Sequence, residues 1–97
     1  MEFKLGEFFC GPGGIALGAI KCGVVVSPEG ETFSVRPDWA TDYDLDTCET
    51  FSRNIHKKEL TQDSNVIHED IRKINIQQLQ KCDGFAFGFP CNDFSVV

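Results

Sequence analysis

Asp83-Gly84-Phe85-Ala86-Phe87-Gly88-Phe89-Pro90-Cys91-Asn92-Asp93-Phe94-Ser95 is the stretch on which the reading of this 97-residue chain turns. Phe85, Phe87 and Phe89 alternate with Gly84, Ala86 and Gly88. A period of two predicts a β-strand with one aromatic face and one nearly bare face. A bare face lets a backbone or a ligand approach closely. Pro90 ends the strand, because proline cannot donate to a ladder and fixes the chain direction. Cys91 is then expected on a stiff turn at the carboxyl end of a buried strand, where ligands and chemistry gather in open α/β sheets. Two readings of Cys91 stay open at this point: a structural cysteine after a core strand, or a reactive thiol.

The other end of the chain bears on that choice. The apolar run from Lys4 to Cys10 predicts a first buried strand. Cys10-Gly11-Pro12-Gly13-Gly14 follows, then the small-residue helix Ile15-Ala16-Leu17-Gly18-Ala19-Ile20. Glycines at such a turn permit tight bending and let backbone N–H groups approach a ligand. The spacing is neither the G-x-G-x-x-G of dinucleotide folds nor a phosphate loop with its lysine. An ordinary strand-to-helix turn is the alternative.

Val24-Val25-Val26-Ser27 and Thr32-Phe33-Ser34-Val35 flank the polar turn Pro28-Glu29-Gly30-Glu31. This predicts a β-hairpin inserted at about 24–36, a decoration rather than a site. Trp39-Ala40-Thr41 reads as the second sheet strand, ending in Asp42-Tyr43-Asp44. A carboxylate in that place can accept from ribose hydroxyls, and the aromatic beside it can stack on a base. Leu45, Cys48, Phe51 and Ile55 recur at helical spacing and are expected in the core, with Asp44 as the helix cap. Val66-Ile67 forms a third short strand, ending near Asp70. His68 and His56 are expected at the surface, His56 on a solvated helix end. Asn75 to Gln80 reads as a short polar helix or turn anchored by Ile76 and Leu79, and Asp83 begins the fourth strand. The alternation β-α-β-α-β-α-β predicts an α/β fold with a parallel sheet.

Composition narrows the function classes. Ninety-seven residues allow one small domain or a piece of a larger one. A net charge of −6 disfavours gripping DNA phosphates through this surface alone. The N-terminus carries no signal-like apolar run, and no run approaches a membrane span. Cys10, Cys22, Cys48, Cys82 and Cys91 are odd in number and widely spaced, without a C-x-x-C pair. This argues against a disulfide framework and against a zinc or other metal site. A reduced, cytoplasmic chain is the reading that fits.

A glycine loop, an acid-aromatic pair and a second acid thus fall at three successive strand ends, which together describe a pocket for an adenosine-containing cofactor. In that order the motifs resemble those of DNA (cytosine-5)-methyltransferases. Phe9-Cys10-Gly11-Pro12-Gly13-Gly14 is similar to the family's F-x-G-x-G-G motif under S-adenosylmethionine. Asp42-Tyr43 resembles the pair that binds ribose and stacks on adenine, and Asp70-Ile71 the pair beside the adenine. Gly88-Phe89-Pro90-Cys91-Asn92-Asp93-Phe94-Ser95 resembles the catalytic G-[FP]-P-C-Q-x-F-S motif. The resemblance spans nearly the whole chain except the hairpin. It departs at Glu7 (usually Asp), Cys10 (Ser or Ala), Asp42 (Glu) and Asn92 (Gln).

The resemblance implies the N-terminal half of a Rossmann-like, S-adenosylmethionine-dependent sheet, residues 1–97, with its strands in order 3-2-1-4. It implies methyl transfer to carbon 5 of a cytosine flipped out of double-stranded DNA, within a restriction-modification system. Cys91 would add as a thiolate at carbon 6 to make carbon 5 nucleophilic, then leave by β-elimination. Pro90 would shape the turn between cofactor and base. The family's E-N-V motif, its arginine motif, its target-recognition region and the last cofactor motif do not occur here. A truncated chain or one subunit of a split enzyme is therefore expected, inactive alone and needing a C-terminal half as partner. Its fourth strand would be left as an apolar edge. An inactive S-adenosylmethionine-binding module is the alternative. A thiol enzyme or nucleotide-binding domain acting on a small substrate is a further one, without a partner base in view for Cys91.

Overall fold

The structure, a computed structural model, describes residues 1–61 and 64–88. Pro90 and Cys91, on which the thiol reading depends, lie outside the described residues. The strands are β1 (Glu2–Phe8), β2 (Val25–Val26), β3 (Thr32–Asp42), β4 (Val66–His68) and β5 (Gly84–Phe87). The α-helices are α1 (Gly14–Cys22) and α2 (Leu45–Phe51), the latter running into a wide π-turn, Ser52–His56. Two short 3-10 turns, Ile71–Lys73 and Ile76–Gln78, precede β5.

The sheet has five strands. β1 lies between β3 and β5 and pairs with both in parallel. β4 pairs in parallel with the end of β3, so the main strands run β4-β3-β1-β5, the order the resemblance implies. β2 runs antiparallel against the start of β3.

Several boundaries differ from the expectation. β1 begins at Glu2 rather than Lys4, because its first residues pair with Ser34 to Arg36 of β3. It stops at Phe8 because Phe9 turns into the left-handed region at φ 56°. The hairpin exists, with Val25 opposite Phe33 and Gly30 turning at φ 85°. Its return arm is not a separate decoration, however. It continues unbroken as β3, so the predicted strand Trp39 to Thr41 is the last part of an 11-residue strand. Pro37 sits inside β3, where the register against β1 shifts between Leu5 and Gly6. Proline is tolerated at such an irregularity because no regular ladder bond is demanded of it. Its carbonyl is used instead by His56, whose Nε2 lies 3.1 Å away. His56 also packs edge-on against Phe51, so it is not the solvated helix end its neighbours Lys57 and Lys58 suggest.

The helices share one face of the sheet. Ala16 of α1, Ala40 of β3, Cys48 and Phe51 of α2, Ile55, Val66 and Cys10 form one buried cluster, with Leu60 packed against it. Leu45, expected among them, is exposed, and so is Ile76. The opposite face is aromatic. Trp39 packs edge-on against Phe8 with ring centroids 5.1 Å apart, and both meet Phe85. The indole lies directly over Gly6, where any Cβ would overlap it, and its Nε1 donates to the Gln80 carbonyl at 2.9 Å. β5 is an edge strand rather than a buried one: Phe85 is 64% and Phe87 52% exposed.

Candidate functional site

The carboxyl ends of β1, β3 and β4 point the same way, since these strands are parallel. The loops that follow them enclose a cavity of about 290 Å³. Phe9 comes from the end of β1, Thr41, Asp42 and Tyr43 from β3, and Glu69, Asp70, Ile71 and Arg72 from beyond β4. This volume lies at the lower end of small-molecule sites. Five residues singled out in the sequence (Phe9, Asp42, Tyr43, Asp70 and Ile71) therefore meet around one space. Thr41, Glu69 and Arg72 were not anticipated, although each adjoins a residue that was.

Phe9 reaches the cavity by an unusual backbone. A bulky residue at positive φ is strained, and such strain persists where the surroundings over-determine it. Here they do. The Cys10 N–H donates to the Thr41 carbonyl at 3.0 Å, and the Gly11 N–H to Asp42 Oδ2 at 3.0 Å. The turn into α1 then needs Gly13 at φ 110°, where a Cβ would press on Ile55 and Phe51. The loop is thus pinned to the end of β3 and to the core.

Asp42 is the hinge of this arrangement. Its Oδ2 holds the Gly11 N–H, and its Oδ1 accepts from the Asp44 N–H at 3.0 Å. Each carboxylate oxygen offers about two lone-pair sites, so one on each remains for a ligand hydroxyl. Asp44 caps α2, its Oδ2 accepting from the Thr47 N–H at 3.1 Å. Tyr43 is 74% exposed, with its ring on the cavity wall. The donor set fits a nucleoside: acidic acceptors for hydroxyls and an amine, with Phe9 and Tyr43 as aromatic walls.

Asp70 is already engaged. Arg72 donates to it through its backbone N–H (2.9 Å), through Nε to both oxygens (3.1 and 3.2 Å) and through Nη2 (2.6 Å). These bonds hold the Asp70 carboxyl down at about 2.

The rest of the glycine motif does not line the cavity. Cys10 is 6% exposed and belongs to the core, and burial pushes its thiol far up. Gly11, Pro12, Gly13 and Gly14 shape the turn and are absent from the cavity wall. Glu7, beneath the loop on the helix side of β1, is 1% exposed. Burial raises its carboxyl from 4.5 to about 7, and its Oε1 has no hydrogen-bond partner among the described residues. Among the described residues no group of three or more His, Cys, Asp or Glu is placed to hold a metal ion. Nor is any helix among them long and apolar enough to cross a membrane.

Comparison with known proteins identifies the family. Residues 3–97 match the family described as C-5 cytosine-specific DNA methylase. The chain is similar to the type II methyltransferase M.BbvI of Brevibacillus brevis, 43% identical over the whole chain and 26% of that protein. It is also similar to the type II methyltransferase M.Bsp6I of Bacillus sp. (strain RFL6), at 32% identity over 97% of the chain and 24% of that protein. The type II methyltransferase M.NgoFVII of Neisseria gonorrhoeae is likewise 32% identical over 97% of the chain and 21% of its own length. The chain thus spans about a quarter of the length of the curated relatives it matches. No solved structure matches it significantly.

Proposed function

Because the chain belongs to the C-5 cytosine-specific DNA methylase family, we propose that it is the cofactor-binding and nucleophile-bearing part of a DNA (cytosine-5)-methyltransferase. The whole enzyme would methylate carbon 5 of cytosine in double-stranded DNA, beside a type II restriction enzyme. The remaining three quarters, by the measure of its relatives, would supply the DNA-contacting surface that a net charge of −6 does not offer here. It would join this part in cis or as a second chain.

The observation that carries this reading is the cavity shared by Phe9, Asp42, Tyr43, Asp70 and Ile71. S-adenosylmethionine, when bound, would supply an electrophilic methyl group. Asp42 would accept from the ribose hydroxyls through the lone pairs that Gly11 and Asp44 leave open. Phe9 and Tyr43 would wall the adenine, with Asp70 and Ile71 at its edge. Cys10, Gly11, Pro12, Gly13 and Gly14 would act by holding the loop in shape. Cys91, which the family's motif marks as the nucleophile, would add through its thiolate sulfur at carbon 6 of the flipped base. That addition raises electron density at carbon 5. The sulfur would leave once the carbon 5 proton is lost.

Calorimetric titration of the chain with S-adenosylmethionine tests the reading. Saturable binding that is lost in Asp42→Ala supports it. A folded chain that binds equally well without Asp42 contradicts it. In the assembled enzyme, Cys91→Ser should abolish methyl transfer and keep cofactor binding, and transfer at an unchanged rate would dismiss the nucleophile.

A further inference from the structure

Arg72 belongs to none of the motifs that mark the family resemblance, yet its guanidinium engages both oxygens of the Asp70 carboxylate at the cavity. Asp70 offers about four lone-pair sites, and Arg72 directs three N–H hydrogens at them: the backbone N–H, the Nε–H shared between both oxygens, and one from Nη2. The Asp70 side chain is 13% exposed and the Arg72 side chain 85%. The guanidinium is therefore the solvent-facing member of the pair. It stands at the cavity wall together with Tyr43. A purine amine can only donate, and so can a guanidinium. The two compete for the same oxygens.

We infer that Arg72 is a latch: its guanidinium occupies the Asp70 carboxylate that the exocyclic amine of an adenine would otherwise engage, and it swings out when the cavity fills. This rests on the reading of the cavity as an adenosine site. The latch sets affinity through Asp70 rather than through Asp42. With its guanidinium open to solvent the pair is weak, so the penalty on binding is a few-fold and shrinks with salt.

The test is an NMR shift titration of the chain with adenosine, which is neutral, and with purine riboside, which lacks the amine. Arg72→Ala should bind adenosine about two- to fivefold more tightly than the wild type, with purine riboside affinity unchanged. In high salt the wild type should approach the variant. Arg72→Gln, which keeps the length of the side chain without its charge, should tighten adenosine binding as well. Weaker or equal adenosine binding by both variants overturns the latch, as does equal tightening toward purine riboside. In those cases the adenosine site itself stands if wild-type binding is still lost in Asp42→Ala. Absence of adenosine binding by the wild type and by both Arg72 variants would remove site and latch together.

Discussion

Two carboxylates separate the work of single residues in this chain. Asp42 ties Gly11 and Asp44 with one oxygen each. Its replacement by alanine frees two backbone donors, and hydrogen bonds to a charged group contribute about 1.5–3 kcal/mol each at most. The Asp44 N–H is exposed and regains water, so the part-buried bond to Gly11 dominates, and Asp42→Ala should cost about 2 kcal/mol of stability as well as cofactor affinity. Urea melts read the first loss and calorimetry the second; a loss of affinity alone would mean that the loop does not depend on this clamp. Glu7 is the opposite case. Its folded-state value of about 7 lies above the ordinary 4.5, so between those two pH values the folded chain holds a proton that the unfolded chain has released. Stability is then full below about pH 4.5 and falls as pH rises toward 7. Glu7→Gln should flatten this slope and gain on the order of 2–3 kcal/mol at pH 8 relative to the wild type. Parallel pH profiles for the two proteins would exclude the effect. Asp42 was legible in the sequence because an acid at the end of a second strand has a known use. Its grip on Gly11 was not, since that depends on where a loop 31 residues away comes to rest. Glu7 showed only as a departure from the family pattern, because period two does not say which face a lone acid takes.

At the scale of elements, turn chemistry was the most readable signal. Pro28-Glu29-Gly30-Glu31 marked the hairpin, and Asp44 marked the start of α2. Asp44→Ala should lower stability by about 1 kcal/mol, measured by the shift of the urea midpoint, with no change in cofactor affinity beyond that shift. The expected gap between the hairpin and the Trp39 strand does not exist: β3 runs through Pro37, which is accommodated where the register slips. Leu45 kept helical spacing yet stayed exposed, while Cys48 and Phe51 of the same helix reached the core. The contact between Trp39 and Gly6 was invisible as well, for nothing local joins residues that far apart. It is also the most demanding contact of the aromatic face. Gly6→Ala should force the indole off its seat and cost about 1–3 kcal/mol, with loss of the Trp39 near-ultraviolet signal as the witness. A retained signal would show that the strand can yield instead.

For the whole molecule, the alternation of strands and helices was enough to predict the parallel sheet, while its strand order came from the family resemblance. The exposure of its flanks follows from the same facts. Ile15, Leu17 and Ile20 of α1, Val24 to Val26, and Phe85 and Phe87 of β5 all stand open to solvent. Such a surface exceeds the scattered apolar residues usual on a small domain and asks for a covering. The isolated chain should therefore enhance the fluorescence of anilinonaphthalene sulfonate. Phe85→Thr with Phe87→Thr should remove roughly half of that signal if the β5 edge is a main dye site. An unchanged signal would assign the dye to the α1 side.

The unbroken run of β3 has a practical reach. Its first residue sits beside the Pro28–Gly30 turn and its last is Asp42, ten steps on, so the two ends lie about 33 Å apart. A fluorophore or affinity handle grafted onto that turn would ride on a stiff rod whose far tip frames the cavity. It would sense the assembly of the protein without brushing against what the cavity holds.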